Sequence, residues 1–142
     1  LYALSGDFLA RMQAASLRLP DDVVGDDGLV CALAKTNLAD ESCWDDRRVV
    51  ICEGAGFFCA PVSILSPISW RMQYRRMISY SMRHFQNVLI SPIMRSKGPS
   101  GLPTRLSDLY PSALAALRAR SGPVRSLFDR LALRRMARLI RT

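Results

Sequence analysis

A chain of 142 residues, 49% apolar and 23% charged, is long enough to bury one core and is too apolar for a disordered segment. Its net charge of +8 is unevenly divided: residues 1–65 carry five Lys/Arg against ten Asp/Glu, and residues 66–142 carry fifteen against two. Four cysteines without a C-x-x-C pair, and His84 as the single histidine, argue against a zinc site and for reduced, mostly buried thiols.

The opening run of residues 1–4 begins with Leu1 and reads as the interior of a structured element, so a fragment boundary is expected there. Residues 6–16 follow as a helix, with Phe8, Leu9 and Met12 at helical spacing. A loop over 17–25 leads to Asp26 and Asp27, either of which can cap a second helix over 28–36. Residues 37–46 are polar and turn-like. Two strands are expected over 47–52 and 55–60, where Val, Ile and Phe cluster on either side of Gly54.

Beyond a connector over 61–67, residues 66–90 form the longest helical candidate, with Pro67 suited to its first turn. Its apolar face holds Trp70, Tyr74, Met77, Ile78, Ser81, Phe85 and Leu89; Gln73, Arg76, Tyr80, Arg83, His84 and Asn87 form a polar flank. A flexible break over 97–103 precedes two basic amphipathic helices, about 105–120 and 123–140. The expected fold class is mixed α/β, with too few strands to close a sheet alone. Residues 1–97 are read as one part and 98–142 as a basic helical extension. The apolar stretch 49–70 is interrupted by Glu53, Gly54, Gly56, Pro61 and Pro67, so it does not span a bilayer.

Two constellations could carry chemistry. Asp26 and Asp27 sit together at a loop-to-helix junction, where capping and dipole complementation are the plain alternative. Gln73 and Arg76 are three apart and share a helical face, which can aim an amide and a guanidinium into one cleft, or can be an ordinary basic surface.

Taken in order, these segments resemble family 2 glycosyltransferases. That family shows a Gly-Ala-Arg helix segment, L-P shortly before an E-D pair, two strands, and Q-x-x-R-W on an interfacial helix. Here stand residues 2–9, Leu19-Pro20, Asp26-Asp27, the two expected strands, and Gln73-Tyr74-Arg75-Arg76-Met77. The likeness covers about residues 1–90. It implies the acceptor-side, C-terminal part of an inverting GT-A enzyme without its nucleotide-binding half, inactive alone. Met77 replaces the family's Trp, which points away from processive synthases.

By that resemblance Asp27, with Asp26 beside it, would be the base that takes the acceptor proton. Arg76 would face the donor diphosphate and Gln73 would line the acceptor channel, with Trp70 and Met77 as further substrate contacts. Partners would be a nucleotide-sugar and a sugar or lipid-linked acceptor, in cell-surface polysaccharide or glycolipid synthesis. A divalent Mg or Mn would serve the full-length enzyme, with ligands mostly outside this chain. No metal ligand is assigned here, and His84 reads as structural. The expected location is cytoplasmic, with the basic tail able to lie on the inner face of the cell membrane. The rival reading is a non-enzymatic basic helical module for anionic membrane or nucleic acid. Nucleic acid is the weaker partner, because no helix-turn-helix, KH or RRM pattern is present.

Overall fold

The computed structural model describes residues 2–54, 56, 58, 63 and 65–140. Among these residues five α-helices run in order: α1 Gly6–Ala14, α2 Asp27–Lys35, α3 Pro67–Lys97, α4 Tyr110–Ala113 and α5 Pro123–Leu139. Short 3₁₀ turns occupy Glu41–Cys43, Asp46–Arg48, Gly98–Gly101 and Leu106–Leu109. There is no strand among the described residues. The mixed α/β expectation is therefore wrong here, and the described structure is helical.

The failed strand over 47–52 has a local cause. Asp45 accepts the backbone N–H of Arg47 at 3.0 Å and binds its guanidinium, which curls 46–48 into a 3₁₀ turn. Val50 and Ile51 beyond it are almost fully exposed. Among the described residues nothing pairs with this segment or covers Val50 and Ile51, and an extended segment so placed gains nothing by forming a ladder. The expected partner strand, 55–60, lies outside the described residues except for Gly56 and Phe58.

Helix starts follow local chemistry. Ser5 Oγ accepts from Phe8 N at 3.2 Å and opens α1; Ser66 Oγ accepts from Ser69 N at 3.4 Å and opens α3, with Pro67 in the first turn. Helix α3 extends seven residues past the expected end, through Pro92. Proline offers no N–H to the carbonyl of Val88, but Val88 is on the exposed side, and Met94 beyond the break is buried. Packing of the following turn outweighs the lost bond. The helix stops at Gly98, whose φ of +62° suits glycine and whose missing Cβ lets the backbone of Ala39 approach to 3.0 Å.

The expected helix over 105–120 is also corrected. Asp22 accepts the N–H groups of Leu106 and Ser107 at 2.6 and 2.9 Å, so this end begins as a capped 3₁₀ turn. Only the single turn of α4 follows. The N–H of Arg120 then goes to Asp129 rather than to a helix carbonyl.

Helix α3 is the spine. Its buried Met82, Phe85, Ile90 and Met94 meet Leu29, Val30 and Leu33 of α2, Phe8 of α1, Leu106 and Tyr110, and Ala132 and Met136 of α5 in one cluster. Asp129, Ala132 and Met136 are three and four apart, which gives α5 one inward face. At the near end of that seam Tyr74 and Phe128 meet edge to face, with centroids 5.7 Å apart. Burying side chains of this size stabilises by roughly 1.5–3 kcal/mol each, before entropy is subtracted.

Gln86 threads the polar side of the core. Its Oε1 accepts from Val24 N at 2.7 Å, and its Nε2 donates to the Asp22 carbonyl and to the Tyr110 hydroxyl, both at 2.9 Å. One buried amide thus fastens the loop before α2 to both α3 and α4. That loop delivers Asp26 and Asp27 to their place.

Candidate functional site

The two acids at the head of α2 take different partners. Asp27 forms an ion pair with Arg83 Nη2 at 2.6 Å, its own side chain 54% exposed. Asp26 makes no side-chain cap and instead accepts the Tyr2 hydroxyl at 3.0 Å, which raises the Tyr2 phenol above its ordinary value. Arg83 reaches Asp27 by crossing two glycines. A Cβ on Gly25 would lie 2.8 Å from Arg83 Cδ, and one on Gly28 would lie 3.4 Å from Nη2. Gly25 also holds φ at +76°. The missing Cβ at Gly25 leaves room for the Arg83 side chain to pass over the loop before α2 and reach Asp27.

Arg76 lies on the same ridge of α3 as Arg83, seven residues and therefore about 10 Å away along the axis. Its Nε donates to the Tyr80 hydroxyl at 2.5 Å. The order along the ridge is Arg76, Tyr80, Arg83, with Asp27 docked at the far end. Asp27 therefore meets Arg83 directly and Arg76 only through two turns of helix. Gln73 and Met77 are half-buried on α3, and Trp70 is 66% exposed near its start. The sequence reading placed Arg83 on this flank without pairing it; the signal was its seven-residue spacing from Arg76 and the glycines at 25 and 28.

Asp22 is consumed by structure, as the acceptor for residues 106 and 107. His84 is half-buried against Phe85, and burial followed by the nearby Arg120 lowers its pKa, so it is neutral at pH 7. The expected buried thiols are corrected in part. Cys31, Cys43 and Cys52 are free, but Cys43 and Cys52 are exposed and only Cys31 is half-buried; Cys59 lies outside the described residues. Among the described residues no three His, Cys, Asp or Glu side chains gather as a metal site.

A groove of about 600 Å³ runs between α2 and α3 from Gly28, next to Asp27, to Trp44 and Arg95. Leu29, Ala32, Ile90 and Met94 form its apolar lining, and Asn87, Ser91 and Glu41 supply polar atoms. Across its outer end Glu41 and Arg95 pair at 3.6 Å. Among the described residues no helix is long and apolar enough to cross a membrane. The arginines of α5 at 125, 130, 134, 135 and 138 face solvent. Comparisons with family models, with curated proteins and with solved structures find no match to this chain.

Proposed function

We propose that this chain is the acceptor-side part of an inverting sugar transferase, with Asp27 as the base. In that reaction the acceptor hydroxyl oxygen attacks the anomeric carbon of a nucleotide-sugar. Asp27 takes the hydroxyl proton, and the nucleoside diphosphate leaves with the electron pair of the broken C–O bond. The observation that carries this reading is the half-exposed Asp27 carboxylate at the head of α2, held by Arg83 at 2.6 Å and one residue before Gly28, which lines a groove. Arg76, on the same ridge, is suited to the departing diphosphate, and Gln73, Trp70 and Met77 flank it on α3. The donor's nucleotide, and the Mg or Mn that the reading expects, require residues other than those described. No step assigned to this chain runs through a metal.

The test is transfer by the protein that carries this chain, using a panel of nucleotide-sugars with Mg²⁺ or Mn²⁺. Asp27→Asn should lower transfer by about 10²–10⁴-fold while donor binding stays intact. Undiminished transfer in Asp27→Asn removes Asp27 as the base.

A second reading, a basic module for anionic membrane surfaces, draws on a separate observation. Ile68, Trp70 and Met72 are exposed at the start of α3 beside Arg71, Arg75 and Arg76. Salt-sensitive binding to anionic but not neutral vesicles, lost in Trp70→Ala, is its expected signature.

A further inference from the structure

We propose that the α2–α3 groove ending at Trp44 is a binding site for an uncharged oligosaccharide, the acceptor of the transfer reaction. This deepens the reading of Asp27 as base and rests on it. The argument begins with size and position. At about 600 Å³ the groove falls in the range of small-molecule sites, and Gly28 in its lining follows the candidate base Asp27 directly in the chain.

Its chemistry matches a sugar better than an anion or a lipid chain. The half-exposed indole of Trp44 gives a flat apolar wall suited to the C–H face of a pyranose. Opposite it, the exposed Asn87 amide and the Ser91 hydroxyl offer hydrogen bonds to ring hydroxyls.

Charge supports the same choice. The chain carries +8, yet this groove holds one acid and one base, Glu41 and Arg95, and they face each other. Two further cations stand close by and both are paired: Arg83, beside Gly28, with Asp27 at 2.6 Å, and Lys35, 5.1 Å from the Trp44 ring centre, with Asp46 at 2.8 Å. Nothing in the groove presents an unbalanced positive charge to a phosphate or sulfate. The exposed arginines of α3 and α5 would collect such anions elsewhere. A neutral glycan gains most from an aromatic wall, a polar rim and a balanced pair.

The experiment uses the full chain with both tryptophans retained, and the indole N–H resonance of Trp44, assigned by its loss in Trp44→Ala, is the local reporter. Cellotetraose, chitotetraose, mannotetraose and maltotetraose are titrated against it, with a sulfated heparin tetrasaccharide as the anionic control, by fluorescence and amide NMR shifts. At least one neutral tetramer should bind with Kd of about a millimolar or tighter, moving amides at 28–32, 44 and 87–95. Trp44→Ala and, independently, Asn87→Ala should weaken that binding by about tenfold, with unchanged circular dichroism. No neutral tetramer binding overturns the proposal, as does binding that Trp44→Ala and Asn87→Ala leave unchanged, or preference for the sulfated control. Sugar binding at Trp44 combined with undiminished transfer in Asp27→Asn would leave the groove standing and remove the base instead.

Discussion

The fully buried carboxylate of Asp129 takes three donors from one residue, Arg120: its backbone N–H at 2.8 Å, Nε at 3.0 Å and Nη2 at 2.8 Å. The hydrogen-bonded guanidinium holds the Asp129 carboxyl far below the ordinary carboxylate range, against the opposing effect of burial. Ser81 of α3 joins the pair, so the loop ending at 120, α5 and α3 meet at one ion. The contact closes the polar stretch before α5 onto the spine.

Asp129→Ala should therefore destabilise the fold by about 2–4 kcal/mol, since one partner of a buried pair is removed while Arg120 is partly able to turn to water. Urea denaturation checks this. The midpoint should fall with the slope unchanged. A midpoint equal to that of the parent chain would show that the pair contributes nothing net.

The same pair sets an acid limb. Because the folded carboxyl titrates well below 3.8, its contribution is fully present above that unfolded value and is lost as pH falls through it and onward to the folded value. His84 adds a shallower slope at higher pH. Its folded pKa is lowered by burial and then by Arg120, so the unfolded chain binds the proton first as pH drops through 6.5. Melting temperatures between pH 2 and 8 should show both slopes. Asp129→Asn should flatten the lower one and His84→Phe the upper one.

Gln86 gives a graded comparison. Gln86→Leu leaves the Val24 N–H, the Asp22 carbonyl and the Tyr110 hydroxyl without their partner and should cost about 2–4 kcal/mol. Tyr110→Phe removes one bond alone and should cost about 1 kcal/mol. In a double-mutant cycle the two effects should fall short of additivity, because one hydrogen bond is shared. Full additivity would show that the Gln86–Tyr110 bond is energetically silent.

Gly25 tests the approach of α2 to α3. Gly25→Ala meets both a positive φ and the Arg83 side chain at 2.8 Å, and should cost about 1–3 kcal/mol. In an Arg83→Ala background the steric part disappears and only the backbone strain of about 1 kcal/mol remains. Equal costs in both backgrounds would mean that Arg83 moves aside freely, and that its pairing with Asp27 does not depend on the glycine.

Sequence periodicity determined α1, α2, the start of α3 and α5, with serine caps at α1 and α3 but no side-chain cap from Asp26 on α2, because these signals are local. Ser5 and Ser66 accept from N–H groups three residues on, and Pro67 and Pro123 open their helices in the first turn. The polar flank of α3 was legible for the same reason, since its residues share one face whatever packs nearby. Tertiary structure decided the rest. Val49–Ile51 have strand-forming side chains, yet a strand needs a partner that no local signal supplies, and Asp45 captured the neighbouring turn instead. The expected end of α3 at residue 90 fell short, because burial of Met94 carries the helix on through Pro92 to Lys97. No local signal marks Asp129 as a partner of Arg120, and only the fold of the 114–122 loop brings Arg120 back over it. The partner of Asp27 was decided likewise, by the tertiary contact that brings Arg83 of α3 over Gly25.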